Sequence, residues 1–176
     1  MIWERRIALC LTLLALLLLG RMAWLTYQEK ALSPAFIDED LPLTPIYFSS
    51  ADAKWLLPEF RKTSGSIEDL IWALIKGPTE PGLAPVLPEG VELLDYALED
   101  SLLVVNFSHH LISAHPGGSR GEMMTVYGIV NTLVGVAGIE DVQILVEGER
   151  VATLVGHLFI GKPLKKDYTL LGSFPI

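Results

Sequence analysis

The chain has 176 residues, 51% of them hydrophobic, with a mean hydropathy of +0.42 and a formal net charge of −8. From Ala31 onward 9 Lys/Arg face 19 Asp/Glu, a net charge of 9 − 19 = −10. That balance argues against nucleic acid and anionic lipid headgroups as partners of this part of the chain, because both need positive charge facing them. Cys10 is the only cysteine, so an intramolecular disulfide is excluded and any folded domain relies on its core alone.

Much of the apolar excess sits at the N-terminus. Arg5 and Arg6 precede an apolar run from Ile7 to Leu19 that only Thr12 interrupts, and Met22-Ala23-Trp24-Leu25 resumes it. From Ile7 to Tyr27 the segment just spans a hydrocarbon core of ~30 Å at about 1.5 Å per residue. The small residues of a signal-peptidase site are missing, and Arg21 sits where cleavage would fall. Residues 1–30 therefore read as a cytoplasmic N-terminus and an uncleaved transmembrane anchor. Arg21 snorkels to the headgroups, Trp24 and Tyr27 sit at the interface, and the two N-terminal arginines leave the rest of the chain outside the cell. Cys10 lies too early in the apolar run for a lipoprotein and reads as a helix residue.

Residues 31–45 read as a linker, with Pro34, Pro42 and Pro45 around Asp38-Glu39-Asp40. The folded domain is expected over residues 46–167. Ile46 to Ser49 is its first strand and Lys54 to Arg61 its second, confined to an edge by Pro58. A helix starts at Ser66, whose side chain caps the N–H of Asp69 in an S-x-x-[DE] box. Ile67, Leu70, Ile71, Leu74 and Ile75 form its apolar stripe, and Gly77-Pro78 stops it.

Thr79 to Gly90 reads as a loop. Val91–Leu98 and Leu102–Phe107 form a hairpin across Glu99-Asp100-Ser101, Ser108 to Ser113 a short helical turn, and His115 to Gly118 a second loop. A second capping box, Ser119 with Glu122, opens a long helix whose stripe is Met123, Val126, Tyr127, Val130, Leu133, Val134 and Ala137. Asp141 to Val146 is a strand, Glu147-Gly148-Glu149 turns it, and Val151 to Val155 pairs back. Gly161 onward is a tail lying over the domain, with 168–176 beyond it. Lys162, Lys165 and Lys166 read as solvated surface lysines.

Several of these fragments, in order, resemble the GerMN domain of bacterial sporulation and spore-germination proteins over roughly Ile46 to Asp167. The carriers are Leu74-Ile75-Lys76-Gly77-Pro78-Thr79, Leu87-Pro88-Glu89-Gly90-Val91 and Val104-Val105-Asn106-Phe107-Ser108. After them come Gly118-Ser119 with Glu122, Asn131-Thr132-Leu133 and Val142-Gln143-Ile144-Leu145-Val146-Glu147-Gly148. The resemblance implies an α/β fold of the α+β sandwich type: a small mixed or antiparallel sheet covered by two helices, similar to ring-building motifs. Here one N-terminal transmembrane helix precedes it. It further implies an extracytoplasmic, membrane-tethered protein without an established catalytic site. Asn106 stands where the family usually has an acid.

No catalytic, metal or cofactor-binding residue is expected. His109 and His110 are adjacent and point apart, and His115 adds too little for a zinc site of three or four ligands. No G-x-S-x-G motif accompanies Ser108 or Ser119. His157 reads as structural. The long helix carries no charge from Met123 to Ile139, and behind its stripe lie Thr125, Gly128, Thr132 and Gly135, all small. An exposed helix back is normally rich in Lys and Glu. This face is therefore a candidate interface for a second copy or a partner protein, weighed against cover from the hairpin or the tail of the same chain.

The expected function is that of a non-enzymatic, membrane-anchored interaction or assembly domain of the bacterial envelope, related to sporulation or germination. Its partners are the membrane, through the single N-terminal helix, and a protein or a second copy. Nucleic acid is not expected, and no motif supports peptidoglycan. Two other classes remain: an envelope or peptidoglycan-metabolising enzyme using the His109–His115 region, and a sensory domain binding a small ligand between the loops Thr79–Gly90 and Ser113–Gly118.

Overall fold

The computed structural model describes residues 41–172, together with Trp3 and residues 20–22. The chain divides into two compact units, Met1–Asp40 and Leu41–Ile176. In the first, Trp3 and residues 20–22 are helical and exposed, and the rest of the expected anchor and linker lies outside the described residues. Among the described residues no helix is long and apolar enough to cross a membrane.

The second unit begins with β1 (Leu43–Ser50) and β2 (Leu56–Lys62), an antiparallel pair in continuous register from Leu43↔Lys62 to Ser49↔Leu56. The first strand thus starts earlier than expected and takes in Pro45. The Tyr47 N–H, two residues on, points away from β2 and donates to Thr132 Oγ1 at 3.0 Å. The missing N–H of Pro45 therefore falls on the side that β2 does not use, as does that of Pro58 opposite Tyr47 on edge strand β2.

Helix α1 (Ile67–Lys76) forms as its sequence directs: Ser66 Oγ accepts from the Asp69 N–H at 3.1 Å, and Glu68 and Asp69 occupy the first turn. The return half of the box runs through Ser64, whose hydroxyl bonds Asp69 and accepts from the Ser66 N–H. Leu70, Ile71 and Leu74 are fully buried. Gly77, at φ 79°, closes the helix in a conformation glycine adopts without strain.

The two-residue strand β3 (Leu83–Ala84) pairs with the end of β1 and completes a sheet of order β2-β1-β3. Then β4 (Leu93–Glu99) and β5 (Leu102–Phe107) form the expected hairpin. The short helix α2 (His110–Ser113) and the long helix α3 (Ser119–Leu133) follow, and β6 (Asp141–Val146) joins β5 in parallel. The second sheet has order β4-β5-β6. Two small sheets therefore replace the single one expected.

One cluster of buried side chains joins them. It runs from Ile46 and Phe48 on β1, through Leu70, Ile71 and Leu74 on α1 and Ile129, Val130 and Leu133 on α3, to Val105, Val142 and Ile144. Helix α3 has ten of its fifteen residues buried, so it is covered nearly all round rather than on one stripe.

The expected strand Val151 to Val155 does not form. The turn Glu147-Gly148, with both φ positive, brings only Glu149 back to Val146. Beyond it, backbone N–H groups go to a buried carboxylate instead of a ladder. The tail lies along the domain: Leu164 pairs with Val142, a 3₁₀ turn spans Tyr168–Leu170, and Leu171 bridges to Leu56.

Candidate functional site

Glu122 corrects the second capping box. The N-cap of α3 is Gly118, and no side chain caps the helix. The Glu122 carboxylate is fully buried and accepts four backbone N–H groups of one loop. Oε1 takes those of Leu154 and Val155 at 2.7 and 3.0 Å, and Oε2 those of His157 and Leu158 at 2.8 and 3.0 Å. Burial pushes its pKa up, but the four donors outweigh burial and hold it below the usual carboxylate range. Glu122 is a clamp for residues 154–158. His157 contributes its backbone to this clamp while its side chain is exposed.

Glu59 is built the same way in the first sheet. It is buried, yet accepts from Arg61 Nε at 2.6 Å, from the Thr79 N–H and hydroxyl at 2.9 and 2.6 Å, and from the Glu80 N–H at 3.1 Å. Burial acts against these donors, which still bring its pKa down to about 2. Arg61 lies over the Phe48 ring and donates to Gly77 O at 2.7 Å, so the pair ties β2 to the end of α1. Sequence reading passed over both Glu59 and Arg61, and no local motif marks them.

The histidines do not converge. His109 and His110 are exposed, and the His109 N–H donates to Glu147 Oε1 at 2.6 Å. The His110 ring lies beside Gly90. His115 has both ring nitrogens engaged: Nδ1 accepts from the Gly117 N–H at 3.0 Å, and Nε2 lies 3.1 Å from Thr125 Oγ1. That hydroxyl donates to Val86 O at 2.6 Å, so it accepts from His115, which places the ring proton on Nε2. Burial lowers the His115 pKa, with Glu122 opposing. Among the described residues no three His, Cys, Asp or Glu stand close enough to share a metal ion.

The expectation for the back of α3 is corrected in its geometry. Thr125 and Thr132 are 4% and 3% exposed and bond to Val86 and Tyr47 of the same chain. A Cβ on Gly128 would stand 2.8–2.9 Å from the Val86 side chain. Only Gly135 is exposed, in the turn after the helix at φ 96°. The cover is β1 and the Val86 loop rather than the hairpin or the tail.

The two loops expected to line a small site do meet. Residues 84–88 and Pro116, with Ser49, Ser50, Ala51, Ala53 and Met124, line a recess of about 320 Å³. Its walls are mostly apolar, and the hydroxyls on them are spent: Ser49 donates to Ser50 O, Ser50 bonds Asp52, Lys54 and Trp55, and Thr125 bonds Val86. Hydroxyls already engaged within the chain are poorly placed to fix a ligand's orientation.

The open edge of the second sheet is different. On β4, Tyr96 and Leu98 stand opposite the buried Val105 and Leu103 and carry that core-facing row to the sheet margin. With Leu94 they are 40–45% exposed. The inner end of β4 is fixed by Asn106, whose amide donates to Asp95 at 2.9 Å and whose oxygen accepts from the Gly148 N–H at 2.7 Å.

A family model described as sporulation and spore germination (Germane) matches residues 45–152. A solved structure of a candidate lipoprotein from Clostridium perfringens is 28% identical, with a TM-score of 0.52 over 69% of this chain and 85% of that one. The tandem GerMN domains of the sporulation protein GerM from Bacillus subtilis give a TM-score of 0.59 at 18% identity over 80% of this chain. The match spans 51% of that tandem. The first GerMN domain alone gives 0.55 at 15% identity, covering 72% of this chain and 96% of that one. No curated protein sequence matches the chain significantly.

Proposed function

The chain belongs to this Germane family of sporulation and spore germination proteins, and on that premise we propose that it is a membrane-tethered, extracytoplasmic module that binds a protein partner or a second copy and performs no reaction. The observation that carries this reading is the contrast between spent chemistry and an unspent surface. Glu59, Glu122 and His115, three buried or half-buried groups whose pKa values the fold displaces, are consumed in bonds that hold loops in place. Leu94, Tyr96 and Leu98 instead face solvent on an edge strand, where sheet edges commonly acquire partners.

The tether rests on the apolar segment from Ile7 to Tyr27 behind Arg5 and Arg6. The similar chain from Clostridium perfringens is described as a candidate lipoprotein, so attachment to a membrane suits both even if the means differ.

Photocrosslinking in cells tests the reading. A crosslinker at position 98 of the full-length chain, used in vegetative growth and in starvation, is expected to give a discrete intermolecular adduct that Tyr96→Lys abolishes. Absence of any adduct in both states, together with full complementation of a deletion strain by Tyr96→Lys, would remove β4 as an interaction edge and this reading with it.

A further inference from the structure

Three lysines lie close together in the tail of an otherwise acidic domain, and the fold treats each differently. The segment carrying them is pinned on both sides. Leu164 exchanges backbone hydrogen bonds with Val142 at 2.8 and 2.9 Å, and the Asn131 side chain of α3 holds both backbone groups of Asp167 at 2.8 and 2.9 Å. Lys165 is exposed and paired with Asp141 at 2.9 Å. Lys162 and Lys166 have no carboxylate at ion-pair distance among the described residues. Of the two carboxylates in this region, Asp141 is the one paired with Lys165, and Asp167 accepts from the Thr169 N–H and hydroxyl at 2.8 and 2.6 Å and caps the 3₁₀ turn.

Lys166 is not a solvated surface lysine. Its ammonium lies 5.0 Å from the centre of the Tyr47 ring and 5.7 Å from that of Tyr168. The rings hold the cation in place and remove part of its water, and burial draws its pKa down. Lys162, Lys166 and Tyr127 line one open depression of about 450 Å³, whose walls also carry Lys165 and the carboxylates of Asp141 and Asp167. Burial, with Asp167 adding to it, raises the Tyr127 pKa, so its hydroxyl keeps its proton and remains a donor.

We propose that this depression is a binding site for an oxyanion, a carboxylate or phosphate group, received by the ammonium groups of Lys162 and Lys166 with Tyr127 on the same wall. A fixed, partly dehydrated cation without a counter-charge gains more from an arriving anion than a hydrated one does. The negative charge of the rest of the domain is screened beyond about 10 Å at 0.1 M salt, so recognition is local and weakens as salt rises. The open shape admits a small solute or a lipid headgroup.

Titration of the full-length protein in neutral detergent tests this with three probes: inorganic phosphate, citrate, and micelles doped with phosphatidylglycerol. Saturable binding is expected to at least one. Losing one charge-assisted contact corresponds to about tenfold or more in affinity, the loss expected for Lys166→Gln, while Lys166→Arg retains binding. Lys162→Gln, at an exposed position that cannot disturb the packing, must also weaken binding and carries the test should Lys166→Gln unfold. The distant Lys54→Gln must leave binding unchanged. Binding to doped micelles alone identifies a lipid headgroup as the source of the oxyanion, and binding to the free anions identifies a solute. No saturable binding to any probe, or binding indifferent to both Lys162→Gln and Lys166→Gln, would overturn the proposal and leave the cation–π contacts as the whole role of Lys166.

Discussion

A carboxylate taken wholly out of water must recover its solvation from fixed donors, and its environment records how completely it does so. Glu122 recovers it from four N–H groups of a single loop, which have no other partner among the described residues. Neutralising this side chain removes the charge and turns part of it into a donor facing other donors. Glu122→Gln is therefore expected to lower stability by about 3 kcal/mol, read as a fall in the denaturant midpoint with the slope unchanged. An unchanged midpoint would show that the loop is held by other contacts. Ser66 and Glu122 sit in similar S-x-x-[DE] settings, yet only the first motif acts as a cap. The Ser66 bond closes within three residues and is legible in the sequence. The Glu122 bonds reach 32 to 36 residues downstream, and no local pattern announces them.

At the scale of elements, α3 is the informative case. Its uncharged back, read from the sequence as a candidate interface or a face covered by the hairpin or tail, is covered by neither of those two elements. The covering elements are β1, through Tyr47 and Thr132, and the loop at Val86. Gly128 is small because Val86 stands where a Cβ would go. Gly128→Ala therefore tests the packing against intrinsic preference. Alanine favours a helix by about 1 kcal/mol over glycine, whereas overpacking costs roughly 1–3 kcal/mol. A net loss of thermal stability is expected, partly recovered in the double variant with Val86→Ala. A gain in stability from Gly128→Ala alone would mean that the Val86 loop yields freely. Val151–Val155 likewise does not become a strand: the buried carboxylate of Glu122 holds the backbone donors of Leu154 and Val155 instead.

At the scale of the whole molecule, the two buried carboxylates set the response to acid. Both have folded-state pKa values below the ordinary value of 4.5, Glu59 at about 2. A lowered carboxylate pKa contributes stability that is complete above the unfolded value and is lost as pH falls through the folded one. His115, held neutral by burial, is also lowered from 6.5, so its contribution fades as pH drops below that value. Urea midpoints are expected to decline gently below about pH 6.5 and steeply between about 4.5 and 2. Glu59→Gln should remove roughly 3 kcal/mol at neutral pH and flatten the acid limb. An acid limb identical to that of the unaltered chain would mean that Glu59 does not control it.

The sequence by itself determined the helices after Ser66 and from Ser119, the hairpin at Asp100 and the family. Those signals are periodicities, caps and turn residues that act within a few positions of one another. Only the tertiary structure decided that there are two sheets, that the small face of α3 is interior, that Glu122 clamps a loop and that Lys166 stands between two tyrosines. Each of these depends on groups brought together from distant parts of the chain, where burial and the demand for hydrogen-bond partners outweigh local preference.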